Sequence, residues 1–399
     1  YEISACLVGS EMCIRDRGKT GIEGSRFAYF SNWSMGSAAF DIAGNRAPSV
    51  NTPGLISPDL TWYSTRSTNV GVDFSMLKNR LSATFDYFVQ ETKGYLISPS
   101  DIYKTPLGTN LPQIMSDDKF RRAGSEITVR WKDSYNELRY EIGANISFYD
   151  ELWVKKNEDI NTSQNPLLTS VGKTLSDGTR MFISNGLYSD LAELLNNPHA
   201  LWTTNVKTGD IRYVDVNGDG RIDTDGSWSD DKVYNGLTKK PIMQYGLDFS
   251  LAYKGFSLTG LIQGAGKNYK IIGTEGMAVG FSRIRFSQDL DYWTPQNTGA
   301  GYPIPDTGSG LANNYQESSF WAVDCKYVRL KNLQIGYDFK YKLLKNTPWL
   351  SNLTLSLVGQ NLFTISKAND YYIDPEQNDT NNFGYPITKT YSLVLNIGF

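Results

Sequence analysis

The chain of 399 residues lacks much of what several protein classes require. It carries one histidine, His199, so a zinc site built from imidazoles cannot be assembled. Its three cysteines, Cys6, Cys13 and Cys325, are too few and too scattered for a disulfide scaffold. No apolar run approaches the roughly 20 consecutive residues that a membrane-spanning helix needs. Charge of one sign is also missing: 39 basic against 42 acidic side chains give a net charge of −3, with no basic run to mark a nucleic-acid surface. The start does not follow the order of charged, apolar and small-residue regions that makes a secretory signal. What is present is 13% aromatic and 40% hydrophobic residues, a composition far from that of a disordered chain. None of these absences bears on a membrane β-barrel, in which only every second residue faces lipid.

The stretch Ser4 to Arg17, SACLVGSEMCIRDR, resembles translated sequencing-adapter read-through. Residues 1–17 are therefore set apart from fold reasoning, and 18–399 are taken as one unit of β-barrel whose coding sequence was opened upstream of about Gly18. The competing reading is a short natural strand or helix.

From Val70 onward the apolar residues recur at period two, which gathers them on one face of an extended chain. Met243, Tyr245, Leu247, Phe249, Leu251 and Tyr253 alternate with Gln244, Gly246, Asp248, Ser250 and Ala252. Leu81 to Val89, Leu138 to Phe148, Val70 to Met76 and Tyr391 to Phe399 follow the same rule. With weaker candidates at Arg26 to Trp33, Ser125 to Lys132, Phe256 to Gln263, Tyr327 to Lys340 and Leu353 to Phe363, the chain holds about ten strands, each near the roughly 9–11 residues of a tilted membrane strand. A short helix is predicted only over Ser189 to Leu195, with Asp190 near its start.

The connections carry a second pattern. Short turns at Leu77 to Arg80, Ser134 to Glu137 and Lys254 with Gly255 alternate with long polar stretches. Those stretches are Lys93 to Gly124, Asp150 to Pro241, Lys267 to Lys326 and Thr364 to Lys389, rich in Gly, Asn, Asp, Ser and Pro. Short periplasmic turns alternating with long extracellular loops are the layout of an outer-membrane barrel. A soluble β-sandwich also has period-two strands, but loops of about 60 and 90 residues are unusual in one. Asp73, Asp86, Glu141, Asp248 and Asp338 fall on the polar face, which suits a wet lumen, since a charge facing mid-bilayer lipid costs a few kcal/mol.

Several longer motifs occur in order: Thr68 to Leu96, GDIRYVDVNGDGRID at Gly209 to Asp223, YVRLKNLQIGYDF at Tyr327 to Phe339, GQNLF at Gly359 to Phe363, DPE at Asp374 to Glu376, and the ending from Gly384 to Phe399. Together they resemble the C-terminal part of the SusC/RagA family of TonB-linked outer-membrane transporters (TonB-dependent receptors) of Bacteroidetes, over nearly all of the chain from Gly18. The resemblance implies a partial antiparallel transmembrane β-barrel, about ten strands of a 22-stranded whole closed by an N-terminal plug. It implies nutrient uptake of oligosaccharides or peptides across the cell outer membrane, with a SusD-like surface lipoprotein as partner and energy delivered through TonB. The terminal Phe399 on an alternating aromatic-aliphatic strand also resembles the signal by which the barrel-assembly machinery recognises its clients, the alternative being an ordinary last strand of any β protein. The chain departs from the family pattern in showing no plug and no TonB box, so by itself it is expected not to transport.

Asp215, Asn217 and Asp219 stand at positions 1, 3 and 5 of a calcium-loop pattern, with Gly220 at the turn, the Arg221 carbonyl at 7 and Asp223 at 9. Position 12 is Gly226 rather than an acid, although Asp225 precedes it, so any Ca²⁺ binding should be weak. The alternative is an Asx-rich turn. No cofactor is otherwise required. Tyr87, Phe148, Tyr149, Tyr253, Phe256 and Phe363 are candidates for interfacial girdles, and Trp153, Trp202, Trp228, Trp293 and Trp321 for loop-core packing or sugar stacking.

Three functions are consistent with these features. The first is an importer barrel, which is not an enzyme. The second is a secreted β-rich carbohydrate-active enzyme using paired carboxylates, for which the sequence identifies no pair. The third is a non-transporting surface barrel that binds glycans.

Overall fold

A computed structural model describes residues 4–8, 11–19, 33–42, 45–51, 53–97, 114–158, 160–174, 180–203, 205–223, 231–272, 291–305, 311–371, 373–377 and 387–399. Its main element is an eleven-stranded sheet. The strands are β1 (Ser4–Val8), β2 (Glu11–Lys19), β3 (Ser64–Met76), β4 (Leu81–Lys93), β5 (Lys119–Tyr135), β6 (Leu138–Lys155), β7 (Met243–Tyr253), β8 (Phe256–Ala265), β9 (Tyr327–Asp338), β10 (Asn352–Ser366) and β11 (Thr390–Gly398). They neighbour one another in chain order, the up-and-down arrangement of short hairpins. Among the described residues no helix is long and apolar enough to cross a membrane, which says nothing of strands.

The period-two segments are strands, as their alternation predicts. Two strands are much longer than expected: β5 has 17 residues and β6 has 18, so they run well into the stretches assigned to loops. The expected turn at Ser134 to Glu137 is tighter in the structure, because β5 continues through Tyr135 and β6 starts at Leu138. Of the candidate strand at Arg26 to Trp33, only Trp33 lies within the described residues; Ser34–Ile42 pairs instead with Asn45–Asn51 in a separate two-stranded sheet. The backbone of the set-apart N-terminal stretch forms β1 and β2, paired antiparallel.

The hairpin turns follow from local chemistry. Lys254 and Gly255 both have positive φ, 49° and 83°, the left-handed pair that matches the twist of adjoining strands. A Cβ on Gly255 would stand 2.9 Å from that of Tyr341, so space as well as backbone favours glycine there.

Contact density divides the chain into two units. One comprises residues 1–70, 87–123 and 151–172, the other 71–86, 124–150 and 173–399. The first is ordered around aromatic rings: Tyr63 stacks on Tyr95 at 6.2 Å between centroids, and Trp153 meets Tyr95 and Phe120 at 5.2 and 5.1 Å. Arg122 lies over the Phe120 ring and also pairs with Glu151 at 3.1 Å. In the second unit the main buried core belongs to the long connections rather than to the sheet. Met181, Phe182, Ile211, Tyr213, Ile222, Ile271, Trp321, Val323 and Cys325 pack together there with Ala368 and Ile373. The helix Leu191–Asn196 lies inside one of these connections, as predicted. The Asp190 side chain caps it, accepting from the Glu193 amide at 2.8 Å, while Glu193 reaches back to accept from the amide of the preceding Ser189 at 2.9 Å.

Candidate functional site: two unlike sheet faces and the packed loops

Across β6 to β11 the register brings like with like. One row reads Tyr140, Leu251, Leu258, Ile335, Leu357 and Leu393, apolar on all six strands. The row nearer the hairpin turns reads Leu138, Tyr253, Phe256, Tyr337, Leu355 and Leu395. These side chains are not covered: Ile335, Leu357 and Leu393 are 50%, 53% and 71% exposed, an apolar area too continuous for an ordinary soluble surface. Tyr87, Phe148, Tyr149, Tyr253, Phe256 and Phe363 are likewise exposed on their strands.

The opposite face is polar. Its rows read Glu141, Ser250, Thr259, Gln334, Val358 and Ser392, then Asn145, Gly246, Gln263, Arg329 and Thr364. Arg130 ties two of the inward acids together, hydrogen-bonded to Glu141 and 3.4 Å from Asp248. Gly143, paired with Asp248, leaves room for that carboxylate; a Cβ there would come within 2.5 Å of its Oδ1. A groove of about 420 Å³ is lined by Glu126, Asn145, Ser147, Gln244 and Gln263 together with Ile127, Ile146, Tyr245 and Leu261.

The DPE and GQNLF motifs gain a physical role at the end of this face. Arg329 on β9, only 1% exposed, is held by Asp374 at 2.6 Å, by Glu376 and by the Thr364 hydroxyl at 2.8 Å. Glu376 also accepts from the Tyr327 hydroxyl at 2.9 Å, from Gln263 at 3.1 Å and from Lys331 at 3.2 Å. Burial alone would raise the Glu376 pKa, but these donors and the Arg329 charge outweigh it and hold the group below its ordinary value. Two irregularities allow the arrangement. Lys331 is the extra residue where β9 slips against β8, and Asn361, with φ 51°, is the extra residue of β10. Because of the first, Arg329 and Asn332 share the polar face although they stand three positions apart.

The calcium-pattern residues are brought together as a turn. Asp215 accepts from the amides of Gly218 at 2.6 Å and Gly220 at 2.8 Å, Asn217 from Asp219 at 3.0 Å, and Asp219 from Arg221 at 2.9 Å. The side-chain oxygens are therefore turned onto backbone N–H groups, the arrangement of an Asx-rich loop. The Asp223 amide donates to the fully buried Asp231 at 3.2 Å, and Val216 donates to the same carboxyl at 2.8 Å, so Asp231 pins both ends of the loop. Burial pushes the Asp231 pKa up. Among the described residues no three His, Cys, Asp or Glu side chains converge on a point that could hold a metal ion. Asp225 and Gly226 lie outside the described residues, as does Trp228.

Of the other tryptophans, Trp321 and Trp293 are buried in the loops, 1% and 5% exposed, and Trp202 packs on Phe182 and Tyr213. Sequence reasoning missed Arg130, Arg329 and Asp231. The break in alternation at Lys331 was the one signal that could have singled out Arg329.

No protein-family model matches the chain. Comparison with curated proteins and solved structures does find relatives. The chain is 25% identical over 363 residues to TonB-dependent receptor P3 of Formosa agariphila, covering 86% of this chain and 34% of that protein. It is 24% identical over 368 residues to TonB-dependent receptor SusC of Bacteroides thetaiotaomicron, covering 88% and 33%. Its fold matches the RagAB peptide importer in the 'open-open' state with a TM-score of 0.70 at 18% identity, over 98% of this chain and 40% of that one. The fold is thus that of a TonB-dependent receptor β-barrel, represented by part of its sheet. The resemblance to the SusC/RagA family that the motifs carry is borne out by these relatives. The chain spans about a third of the length of the curated relatives it matches.

Proposed function

We propose that the chain is the C-terminal barrel portion of an outer-membrane importer that takes up oligosaccharides or peptides together with a SusD-like surface lipoprotein. The observation that carries this reading is the pair of unlike sheet faces: an exposed apolar face fit for lipid, and a polar face with an Arg130–Glu141–Asp248 cluster fit for a wet passage. The hairpin turns would then be periplasmic and the packed connections extracellular. Energy would arrive through TonB from a plug-bearing region, and assembly machinery would read the terminal strand, so residues 18–399 alone would not transport. Residues 1–17 are read as adapter sequence. An enzyme reading gains no support, since Glu141 and Asp248 are both engaged by the same arginine.

Carbonate washing of membranes tests the central claim. The protein should stay with the outer-membrane pellet and require detergent for release; release by carbonate would refute the barrel assignment. Sequencing upstream of Gly18 should reveal plug and TonB-contacting segments in the intact gene.

We further propose that the Asp215–Asp223 loop binds Ca²⁺ weakly, its carboxylates exchanging amide partners for the ion. Terbium luminescence should report binding that is lost in Asp219→Ala, and silence at millimolar calcium would end the idea.

A further inference from the structure

One hairpin turn of the sheet is unlike the others. Residues 77–80, 136–137 and 254–255 join their strands tightly, whereas β9 and β10 are joined by the longer stretch 339–351. Its backbone is organised from within. The Lys340 ammonium closes the turn, donating to the Thr347 carbonyl at 2.6 Å and to the Leu350 carbonyl, while the Leu344 amide donates to the Phe339 carbonyl at 2.9 Å. Leu350 is buried, and the Ser351 amide ties the turn to the Gly398 carbonyl at 2.8 Å. Outward, the turn shows apolar groups: Leu343 and Trp349 are 67% and 66% exposed. Trp349 stacks on Phe399, with ring centroids 6.3 Å apart and planes inclined by 18°. Phe399 continues the alternation of Leu393, Leu395 and Ile397, so Trp349 extends the apolar face and not the polar one.

The charge of this turn is of one sign. Residues 339–351 include Lys340, Lys342 and Lys345 and no acid. Lys342 and Lys345 are exposed and make no ion pair among the described residues. Glu137, on a neighbouring turn, is engaged by Lys254 at 3.6 Å and by the Tyr341 hydroxyl at 3.3 Å. An indole and a leucine beside unpaired ammonium groups suit a membrane interface: the apolar groups enter the acyl boundary, and the lysine stems lie along it with their charges at the phosphates. We propose that residues 339–351 bind the headgroups of acidic phospholipid in the leaflet on the hairpin-turn side, with Trp349 and Leu343 inserted and Lys342 and Lys345 on the phosphates. The proposal rests on the barrel reading and deepens it by giving this turn a lipid preference. A protein partner docked on the same patch is disfavoured, because Trp349 prolongs the face assigned to lipid.

The test uses the intact importer in vesicles containing photoactivatable phosphatidylglycerol or phosphatidylcholine, each with the reactive group high on the same acyl chain. Labelled peptides are identified by mass spectrometry. Residues 339–351 should take about threefold more label from phosphatidylglycerol at equal mole fraction, and added salt should shrink that excess. Lys342→Gln combined with Lys345→Gln should lower phosphatidylglycerol labelling to the phosphatidylcholine level. Trp349→Ala should reduce labelling of the turn by both lipids, and Lys239→Gln, exposed on a long connection, should change neither. The lysine substitutions are at exposed, unpaired positions, and acyl-chain label on β10 and β11 verifies that each variant is folded in the bilayer. Three results would overturn the proposal: no label on residues 339–351, equal label from the two lipids, or a phosphatidylglycerol excess that survives the double substitution. Label at Leu357, Leu393 and Leu395 reports the barrel reading separately. Labelled strands with an unlabelled turn remove only this site, whereas unlabelled strands remove the lipid face as well.

Discussion

The substitution Leu357→Arg puts the two-faced sheet to its hardest test. Leu357 lies near the middle of β10, flanked in register by Ile335 and Leu393, and is 53% exposed. If water covers that face, replacing a half-exposed leucine with arginine should change stability by about 0.5 kcal/mol or less. If lipid covers it, the guanidinium has to enter hydrocarbon near the bilayer midplane, at a cost of about 2–4 kcal/mol. That difference corresponds to a roughly thirtyfold to several-hundredfold change in the folding equilibrium. The matched control is Ser392→Arg, exposed on a polar row of the adjoining strand, where a long cation can reach an aqueous passage. Both variants would be made in the intact importer, folded into lipid vesicles and unfolded with guanidinium, following the heat-modifiable gel shift of closed barrels. Leu357→Arg should fall by the stated amount and Ser392→Arg by less than about 1 kcal/mol. Equal effects, or a loss at Leu357 below about 0.5 kcal/mol, would refute lipid contact on this face.

The buried Arg329 yields a sharper local prediction: Arg329→Met leaves Asp374 and Glu376 without their main cation, and the segment around them should lose about 3 kcal/mol of protection in hydrogen exchange while the central strands keep theirs. The same cluster sets a pH dependence. The folded-state pKa of Glu376 is below its unfolded value, so its contribution is complete above about pH 4.3 and is lost as pH falls further, through the folded pKa. Exchange in residues 373–377 should therefore accelerate in acid, and constant protection down to pH 2 would contradict the assignment. Burial pushes the Cys325 thiol up to about 11, and the side chain is inaccessible, so a thiol reagent at pH 8 should label it only after unfolding. In the Lys254–Gly255 turn, Gly255→Ala should cost about 1 kcal/mol or more from the left-handed backbone alone, measured as a lower unfolding midpoint with unchanged slope.

The sheet was legible in the sequence because lipid-type and polar rows demand strict alternation, and alternation is a local property that a single strand displays by itself. Met243 to Tyr253 could be read without knowledge of its neighbours for that reason. The same logic explains where the reading stopped short. Beyond Tyr149 the residues of β6 no longer alternate, since Glu151 is buried against Arg122 and Trp153 packs on Phe120, yet the backbone continues as strand to Lys155. A pattern read as loop was strand whose side chains answer to local partners rather than to two uniform surroundings.

The candidate site was legible only in outline. The acids Glu141 and Asp248 stood out by parity, but Arg130, which engages both, lies 118 residues before Asp248 and nothing local marks it as their partner. Arg329 is separated from Asp374 by 45 residues and from Glu376 by 47, and the extra residue Lys331 is needed to keep it on the polar face. A bulge adds one residue, and so inverts every later position of a period-two argument. The DPE and GQNLF motifs are therefore best understood as paired instructions. Asn361 supplies the left-handed residue that resets the register of β10, and Asp374 with Glu376 supplies the charge that makes burial of Arg329 tolerable. Loss of either would strand the other: a regular β10 would change the alignment of Thr364 beside Arg329, while removal of the carboxylates would leave a buried guanidinium with a single neutral acceptor.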